Sequence, residues 1–92
     1  MATYTVSRAK HATLSPGVVD SVTFTANPGV VEVMNRGTSA YLFFSVDGST
    51  PAVGSDDTYV VGPGGALRVD LTLADNVRLV SAAACDYSAT GV

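Results

Sequence analysis

The side chains that could do chemistry are few and lie far apart in the sequence. His11 is the only histidine and Cys85 the only cysteine. His11 lies beside no serine, cysteine or cluster of carboxylates that could form a catalytic dyad or triad with it. No nucleophile elbow and no phosphate-binding loop is present either. We therefore expect a surface or interface His11, a small buried Cys85, and a protein that is not an enzyme and uses no cofactor.

Three aspartates are the remaining candidates for a chemical role. Asp47 begins a long loop and Asp56-Asp57 ends it, so their carboxylates and the loop carbonyls could supply hard oxygen ligands for calcium. The spacing matches no EF-hand loop, however, and such aspartates are also typical of turns and of solvated strand starts. Asp47, Asp56 and Asp57 are therefore weak metal-ligand candidates, and the sequence predicts no metal.

Composition excludes several classes of partner. The chain has 92 residues, a net charge of −3 and a charged fraction of 14%, which fit one domain with little electrostatic protection against association. A basic face for nucleic acid is absent, and no stretch is apolar enough to span a membrane or, within residues 1–20, to form a signal peptide. Because one cysteine cannot form a disulfide framework, a reducing cytoplasm is the expected place of assembly.

Alternating apolar residues, β-branched residues and regularly spaced turn residues indicate short strands throughout. We expect a loop at 48–57, a hairpin over 66–82 with Leu67, Val69, Leu71 and Leu73 facing inward, and strands over these ranges: 3–9, 19–26, 30–35, 39–47, 58–61, 66–73, 77–82 and 86–92. Val22 and Phe24 are expected to face the core and Val77 and Leu79 to face inward. In three other strands the alternation places these sets each on one face: Val31 and Val33; Leu42, Phe44 and Val46; Tyr87 and Ala89.

These elements predict an all-β fold, an antiparallel β-sandwich of seven or eight short strands with immunoglobulin-like architecture. A small closed β-barrel is the alternative. Residues 1–14 are expected to form an N-terminal arm or edge segment, and residues 15–92 a single sandwich domain. The aromatic residues Tyr41, Phe43, Tyr59 and Tyr87 raise a second hypothesis, a carbohydrate-binding face, although aromatic residues in strands are more often part of the core.

Several short motifs follow one another in an order that resembles a known group of proteins. They are Val-x-Val-x-Asn-Arg-Gly at 31–37, the aromatic strand at 41–44, Val-Asp-Gly-Ser-Thr-Pro at 46–51, Gly-Ser-Asp-Asp-Thr-Tyr-Val-Val at 54–61, Pro-Gly-Gly at 63–65, Val-Arg-Leu-Val-Ser at 77–81 and Tyr-Ser-Ala-Thr-Gly-Val at 87–92. Together with residues 8–14, they resemble the small β-rich virion structural proteins of tailed phages, particularly phages of actinobacterial hosts.

The resemblance implies a structural role in the virion, after assembly in the host cytoplasm. A capsid decoration (cement) protein is the first expectation, with the major capsid protein and neighbouring copies of itself as partners, as a monomer or a homotrimer. A tail or head–tail junction protein is the alternative, and host glycans are a further partner to test. Residues 1–14, the edge strands and the 48–57 loop are the expected contact regions, and removal of residues 2–12 is expected to leave a folded domain that no longer binds capsids. The interface candidates are Arg8, Lys10, His11, Tyr41, Phe43, Thr50 and Pro51.

Overall fold

A computed structural model describes residues 2–26, 28–71 and 76–92, and all of the regular elements in these ranges are strands. The nine strands of the described residues are β1 (Thr3–Val6), β2 (Ala9–Leu14), β3 (Asp20–Phe24), β4 (Val30–Asn35), β5 (Leu42–Ser45), β6 (Tyr59–Val61), β7 (Ala66–Asp70), β8 (Asn76–Ser81) and β9 (Cys85–Gly91). Seven or eight strands were expected; the additional one arises because residues 3–14 form two strands.

The strands form two sheets that pack face to face without closing into a barrel. One sheet has five strands in the order β1-β3-β8-β5-β6, and the other has four in the order β2-β9-β4-β7. β1 pairs with β3 in parallel, and the other pairs are antiparallel. The predicted β-sandwich is therefore confirmed, and the closed barrel is wrong.

The connectivity is that of a jelly roll. β5 pairs with β6 across the long loop between them, β4 with β7, β3 with β8, and β2 with β9, so that four strand pairs are nested around one turning point. Successive pairs alternate between the two sheets, as if one long hairpin were wound into a double-stranded helix. The sandwich therefore differs in topology from the immunoglobulin fold, in which the Greek-key connections follow another order.

The predicted hairpin over 66–82 is wrong. β7 lies at the edge of the four-stranded sheet and β8 lies inside the five-stranded sheet, so the two strands do not pair. Leu71 is buried and Val69 is half-buried, but Leu67 is 36% exposed, at an edge with which no strand of the described residues pairs. Leu73 and most of the predicted turn lie outside the described residues.

The core lies between the two sheets and matches the alternation in the sequence. In β3, β4, β5, β8 and β9 the residues expected on the inward or shared face are buried. Val46, which follows β5, packs against the core while remaining partly exposed. Leu14, Val61, Leu71 and Cys85 complete the core of the described residues. Burial of this apolar set is the main favourable contribution to folding.

The segment expected as an arm or edge segment supplies an edge strand to each sheet. β1 extends the five-stranded sheet and β2 extends the four-stranded sheet. Leu14 is fully buried, and Tyr4 and Ala12 pack against the core. Removing residues 2–12 would thus remove two paired strands, so we no longer expect that truncation to leave an intact domain.

Candidate functional site

A groove opens between β6 and β7, where both sheets end. Its volume is about 830 Å³. The walls are β6, β7 and the loop that joins β5 to β6, and the residues that line it are Ser45, Val46, Asp47, Asp56, Asp57, Thr58, Tyr59, Leu67, Arg68, Val69 and Asp70. Its size falls within the range of pockets that hold small ligands or short peptide segments. We call this feature the acidic groove.

Carboxylates dominate the charge of the acidic groove. Four aspartates line it, and among the lining residues Arg68 alone is cationic. The Arg68 guanidinium is already paired with Glu32 on β4, at 2.9 Å between Nε and Oε2. The hydroxyl and N–H of Ser49 donate to Asp47 and hold the pKa of that carboxyl below its usual value. The groove therefore presents net negative charge beside the apolar side chains of Leu67 and Val69.

The three weak metal-ligand candidates, Asp47, Asp56 and Asp57, all line this groove. The described residues nevertheless contain no group of three histidine, cysteine or acidic side chains close enough to hold a metal ion. The groove thus brings the predicted carboxylates to one surface without arranging them as a coordination sphere.

The loop between β5 and β6 folds back over the outer face of the five-stranded sheet. The Ser45 hydroxyl donates to the carbonyl of Ser49 at 2.6 Å, and the Arg78 guanidinium on β8 donates to the Thr50 hydroxyl at 3.3 Å. Pro51 is buried. Of the two interface candidates in this loop, the structure therefore leaves Thr50 at the surface and buries Pro51 within the chain.

The opposite side of the sandwich, formed by β1 and β2, is basic. Arg8 is exposed, and the Lys10 ammonium lies 4.2 Å from the centre of the Tyr4 ring, which is a cation–π contact. His11 faces outward, and its Nδ1 lies 2.7 Å from the Ser88 hydroxyl on β9. Arg8 and Lys10 therefore form a cationic surface at this side, which we call the basic edge (Arg8 and Lys10), whereas His11 projects from the opposite face of β2.

The four aromatic residues of the carbohydrate hypothesis do not share a face. Tyr87 is fully buried between the sheets, and Phe43 is half-buried on the outer face of the five-stranded sheet. Tyr59 is 45% exposed in the acidic groove and stacks on Phe44 with ring centres 5.4 Å apart. Tyr41, at 58% exposure, precedes β5. Tyr41 and Tyr59 thus remain as exposed rings.

Asn35, the last residue of β4, is a buried polar centre. Its side-chain amide N–H groups donate to the carbonyls of Ala40 (2.8 Å) and Val61 (3.0 Å). Its carbonyl oxygen accepts from the Gly37 N–H (2.8 Å) and from the Cys85 thiol (3.2 Å). One fully buried amide therefore links β4 and β9 of one sheet to the end of β6 in the other.

Cys85 is confirmed as a small buried residue, and burial raises the pKa of its thiol, with a further contribution from the charge of Asp86. Since the thiolate is the reactive form, we expect Cys85 in the native protein to react with an aromatic disulfide reagent about 100-fold more slowly than in urea. Absorbance of the released thiolate measures both rates. Equal rates would contradict the buried position.

A second buried polar pair joins the sheets at Asp20 and Tyr87, neither of which the sequence identified as polar core. The Tyr87 hydroxyl donates to Oδ2 of Asp20 at 3.1 Å, and both residues are buried. Burial, reinforced by the charge of Asp20, raises the pKa of Tyr87, so its hydroxyl stays protonated and keeps donating.

Comparisons with known proteins address the fold only. No protein-family model matches the chain, and no curated protein matches it. A solved structure to which it is similar is a de novo designed double-stranded β-helix, determined by solution NMR. The two are 22% identical over 91% of this chain and 97% of the designed one, with a TM-score of 0.55. At this identity the likeness supports the nested jelly-roll topology described above.

Within the described ranges, no helix has the length and hydrophobicity needed to cross a membrane.

Proposed function

We propose that this protein is a structural component of a tailed-phage virion, and specifically a capsid decoration protein that binds the outside of the capsid shell and stabilises it. The observation that carries the proposal is the charge distribution on this small jelly roll. The basic edge lies at one side of the sandwich and the acidic groove lies at the opposite side. Such a molecule offers two different contact surfaces and can bridge two neighbours.

Two further considerations support this role. Of the motifs that resemble phage virion proteins, residues 46–51 and 54–58 lie in the connection between β5 and β6, and connections of this kind are where contacts are commonly made. Jelly rolls are also frequent in viral capsids, although the same fold serves lectins and other proteins, so this is an analogy at the level of the fold.

Cosedimentation with isolated particles tests the proposal. Purified protein should sediment with phage heads and reach hundreds of copies per particle, which is the order expected if each subunit occupies a repeated lattice position. It should not sediment with tails. Binding of a few copies to tails or connectors would instead favour a tail or head–tail junction protein, and binding to neither would refute a virion role.

A pair of exposed residues can locate the capsid contact. Tyr41 is an interface candidate with a large exposed ring, and Met34 is an exposed apolar residue on the outer face of the four-stranded sheet. Because tyrosines often contribute strongly to interfaces, Tyr41→Ala should weaken head binding about tenfold or more. Met34→Ala is the matched control and should bind normally. Equal head binding by the two variants would show that Tyr41 is not part of the capsid contact.

A carbohydrate-binding module is the second candidate. The exposed Tyr59 ring beside carboxylates in the acidic groove favours it, since aromatic rings stack on sugar faces and carboxylates accept hydrogen bonds from hydroxyls. A glycan array probed with the whole protein tests this function. Binding that Tyr59→Ala abolishes would support it, whereas an array without signal would contradict the carbohydrate-binding function.

A further inference from the structure

The four-stranded sheet has β2 at one edge and β7 at the other, and within the described residues each of these strands pairs with another strand on one side only. On β2, the Gly91 N–H donates to the Arg8 carbonyl at 2.6 Å, which makes residues 8 and 91 a hydrogen-bonded pair. In an antiparallel ladder such pairs alternate with non-hydrogen-bonded ones. The backbone N–H and C=O groups of Ala9, His11 and Thr13 therefore point away from β9 and toward the open side.

The same reasoning identifies the free groups of β7. Leu71 donates to the Gly29 carbonyl at 3.0 Å and Asn35 donates to the Gly65 carbonyl at 2.9 Å. With the β4–β7 register, these bonds make Val31 and Val33 the hydrogen-bonded partners of Val69 and Leu67. The N–H and C=O groups of Ala66, Arg68 and Asp70 are consequently directed away from β4. Each edge thus offers three residues for pairing with another strand.

The side chains beside the two edges are complementary in charge. Lys10 lies opposite the buried Ala89, so it projects from the inner side of the sheet, and Arg8 precedes it by two residues. Leu67 and Val69 lie opposite the buried Val33 and Val31, so the acidic groove is on the same inner side. The nearest carboxylate on β9, Asp86, faces outward and accepts from Thr13.

We propose that β2 of one copy pairs with β7 of the next copy, which extends the four-stranded sheet from subunit to subunit and places Arg8 and Lys10 in the neighbour's acidic groove. Three successive antiparallel steps separate β2 from β7, so a copy shifted along the sheet presents its β2 antiparallel to the β7 it meets. This inference rests on the proposed function in that a decoration protein meets its own copies on the lattice.

Charge favours the pairing of β2 with β7 over the pairing of two β2 strands or of two β7 strands from different copies. Two acidic grooves repel each other, as do two basic edges, whereas the basic edge and the groove attract. The contact is therefore heterologous, and repetition of it forms a ring if the rotation between subunits closes and a filament if it does not. A second copy is the occupant that supplies both the cations and an unpaired strand of matching orientation.

Sedimentation velocity on the full chain, without capsids, tests the proposal. The protein should self-associate in a concentration-dependent way below about 1 mM, and more weakly as salt rises. The double variants Arg8→Glu/Lys10→Glu and Asp56→Lys/Asp57→Lys should each associate about tenfold or more weakly. An equimolar mixture of the two should associate again, because the reversed edge then meets the reversed groove. A wild-type monomer at about 1 mM, or variants that associate normally, would overturn the proposal.

Zero-length cross-linking locates the contact. Lys10 is the only lysine, so carbodiimide coupling of its amine reports on one position. In a mixture of ¹⁵N-labelled and unlabelled protein, mass spectrometry should find mixed-isotope cross-links from Lys10 to Asp47, Asp56 or Asp57. Because β2 and the groove lie on opposite sides of the sandwich, these links have to join different copies. Mixed links from Lys10 only to other carboxylates would refute the assignment.

A backbone variant separates strand pairing from charge attraction. His11→Pro removes an N–H that points to the open side and is not used in the β2–β9 ladder, and proline is tolerated at such edge positions. His11→Ala is the matched control, since both variants lose the contact with Ser88. Only the proline variant should lose association, and equal association would exclude β2–β7 pairing. Head cosedimentation of the wild type is a separate measurement, so failure of self-association and failure of the virion role are distinguishable.

Discussion

Replacing Asn35 by alanine should lower the free energy of unfolding by about 3 to 5 kcal/mol. The substitution removes four hydrogen bonds and leaves the buried Val61 carbonyl and the Gly37 N–H without the partner they have in the native protein. A chain of this length is stable by about 5 to 14 kcal/mol, so the variant should be near the limit of folding. Urea unfolding followed by circular dichroism measures the change.

Two further variants test whether the hydrogen bonds of Asn35 cause that effect. Thr38→Ala changes an exposed residue of the same turn and should alter stability by less than about 0.5 kcal/mol. Asn35→Asp keeps the shape but places a carboxylate against two carbonyls, which raises the pKa of the new acid in the folded state. Its stability relative to wild type should therefore be highest below about pH 4 and fall as pH rises. A stable Asn35→Ala variant would refute the central role of this side chain.

Tyr87→Phe should destabilise the protein by about 2 to 4 kcal/mol at pH 7, because it removes the donor that the structure gives to the buried Asp20 carboxylate. Asp20→Asn is the matched control. Its amide oxygen can still accept from the Tyr87 hydroxyl, so the loss should stay near 1 kcal/mol or below. In the Asp20→Asn background, Tyr87→Phe should lower the free energy of unfolding by about 1 kcal/mol, because no buried charge then loses its hydrogen-bond donor. Equal costs of Tyr87→Phe in both backgrounds would show that the charge of Asp20 is unimportant.

The same pair predicts how stability depends on alkaline pH. The pKa of Tyr87 is raised in the folded state above the value of about 10 that it has when unfolded. The folded state therefore holds this proton more tightly, and its contribution to stability is complete below about pH 10 and decreases as pH rises beyond that. Tyr87→Phe should make the loss of stability above pH 10 shallower. Denaturant midpoints measured between pH 8 and pH 11 for both proteins provide the comparison.

The strands and their inward faces could be predicted because they depend on local pattern. Period-2 alternation identified Val22 and Phe24 in β3 and Val31 and Val33 in β4, and turn residues marked the breaks between strands. In β5, Leu42 and Phe44 face inward while Phe43 faces outward, as expected. These features follow from the geometry of a single strand, which the residue order determines directly.

Strand pairing could not be predicted in the same way, because it depends on contacts between distant residues. The short connection between β7 and β8 suggested a hairpin, yet the two strands belong to different sheets. Hydrophobic alternation is the same whether a strand lies at an edge or inside a sheet, so the exposure of Leu67 was not foreseen. Asn35 and Asp20 carry residue types that are typical of turns, and only the folded chain shows them buried with partners.

The candidate site was predicted in part. Asp47, Asp56 and Asp57 were identified from the composition of one loop, and they do line one groove. Asp70 belongs to the same surface but comes from β7, and no signal in the sequence connects it with that loop. Arg8, Lys10 and His11 were identified as interface candidates from the sequence, whereas their place on the side opposite the groove follows from the topology.

The nesting of the strand pairs also bears on how the chain folds during synthesis. Residues 9–14 of β2 are synthesised early, but their partner β9 is the last strand of the sandwich. β2 therefore cannot pair with β9 until residues 85–90 have been synthesised. Until β9 is made, the four-stranded sheet lacks its second strand and the core lacks Tyr87 and Ala89. Such non-local closure slows folding and leaves apolar strands exposed in partial chains. Nascent chains that stop before residue 85 should therefore be the aggregation-prone and protease-sensitive species, which makes premature termination more damaging here than most single substitutions.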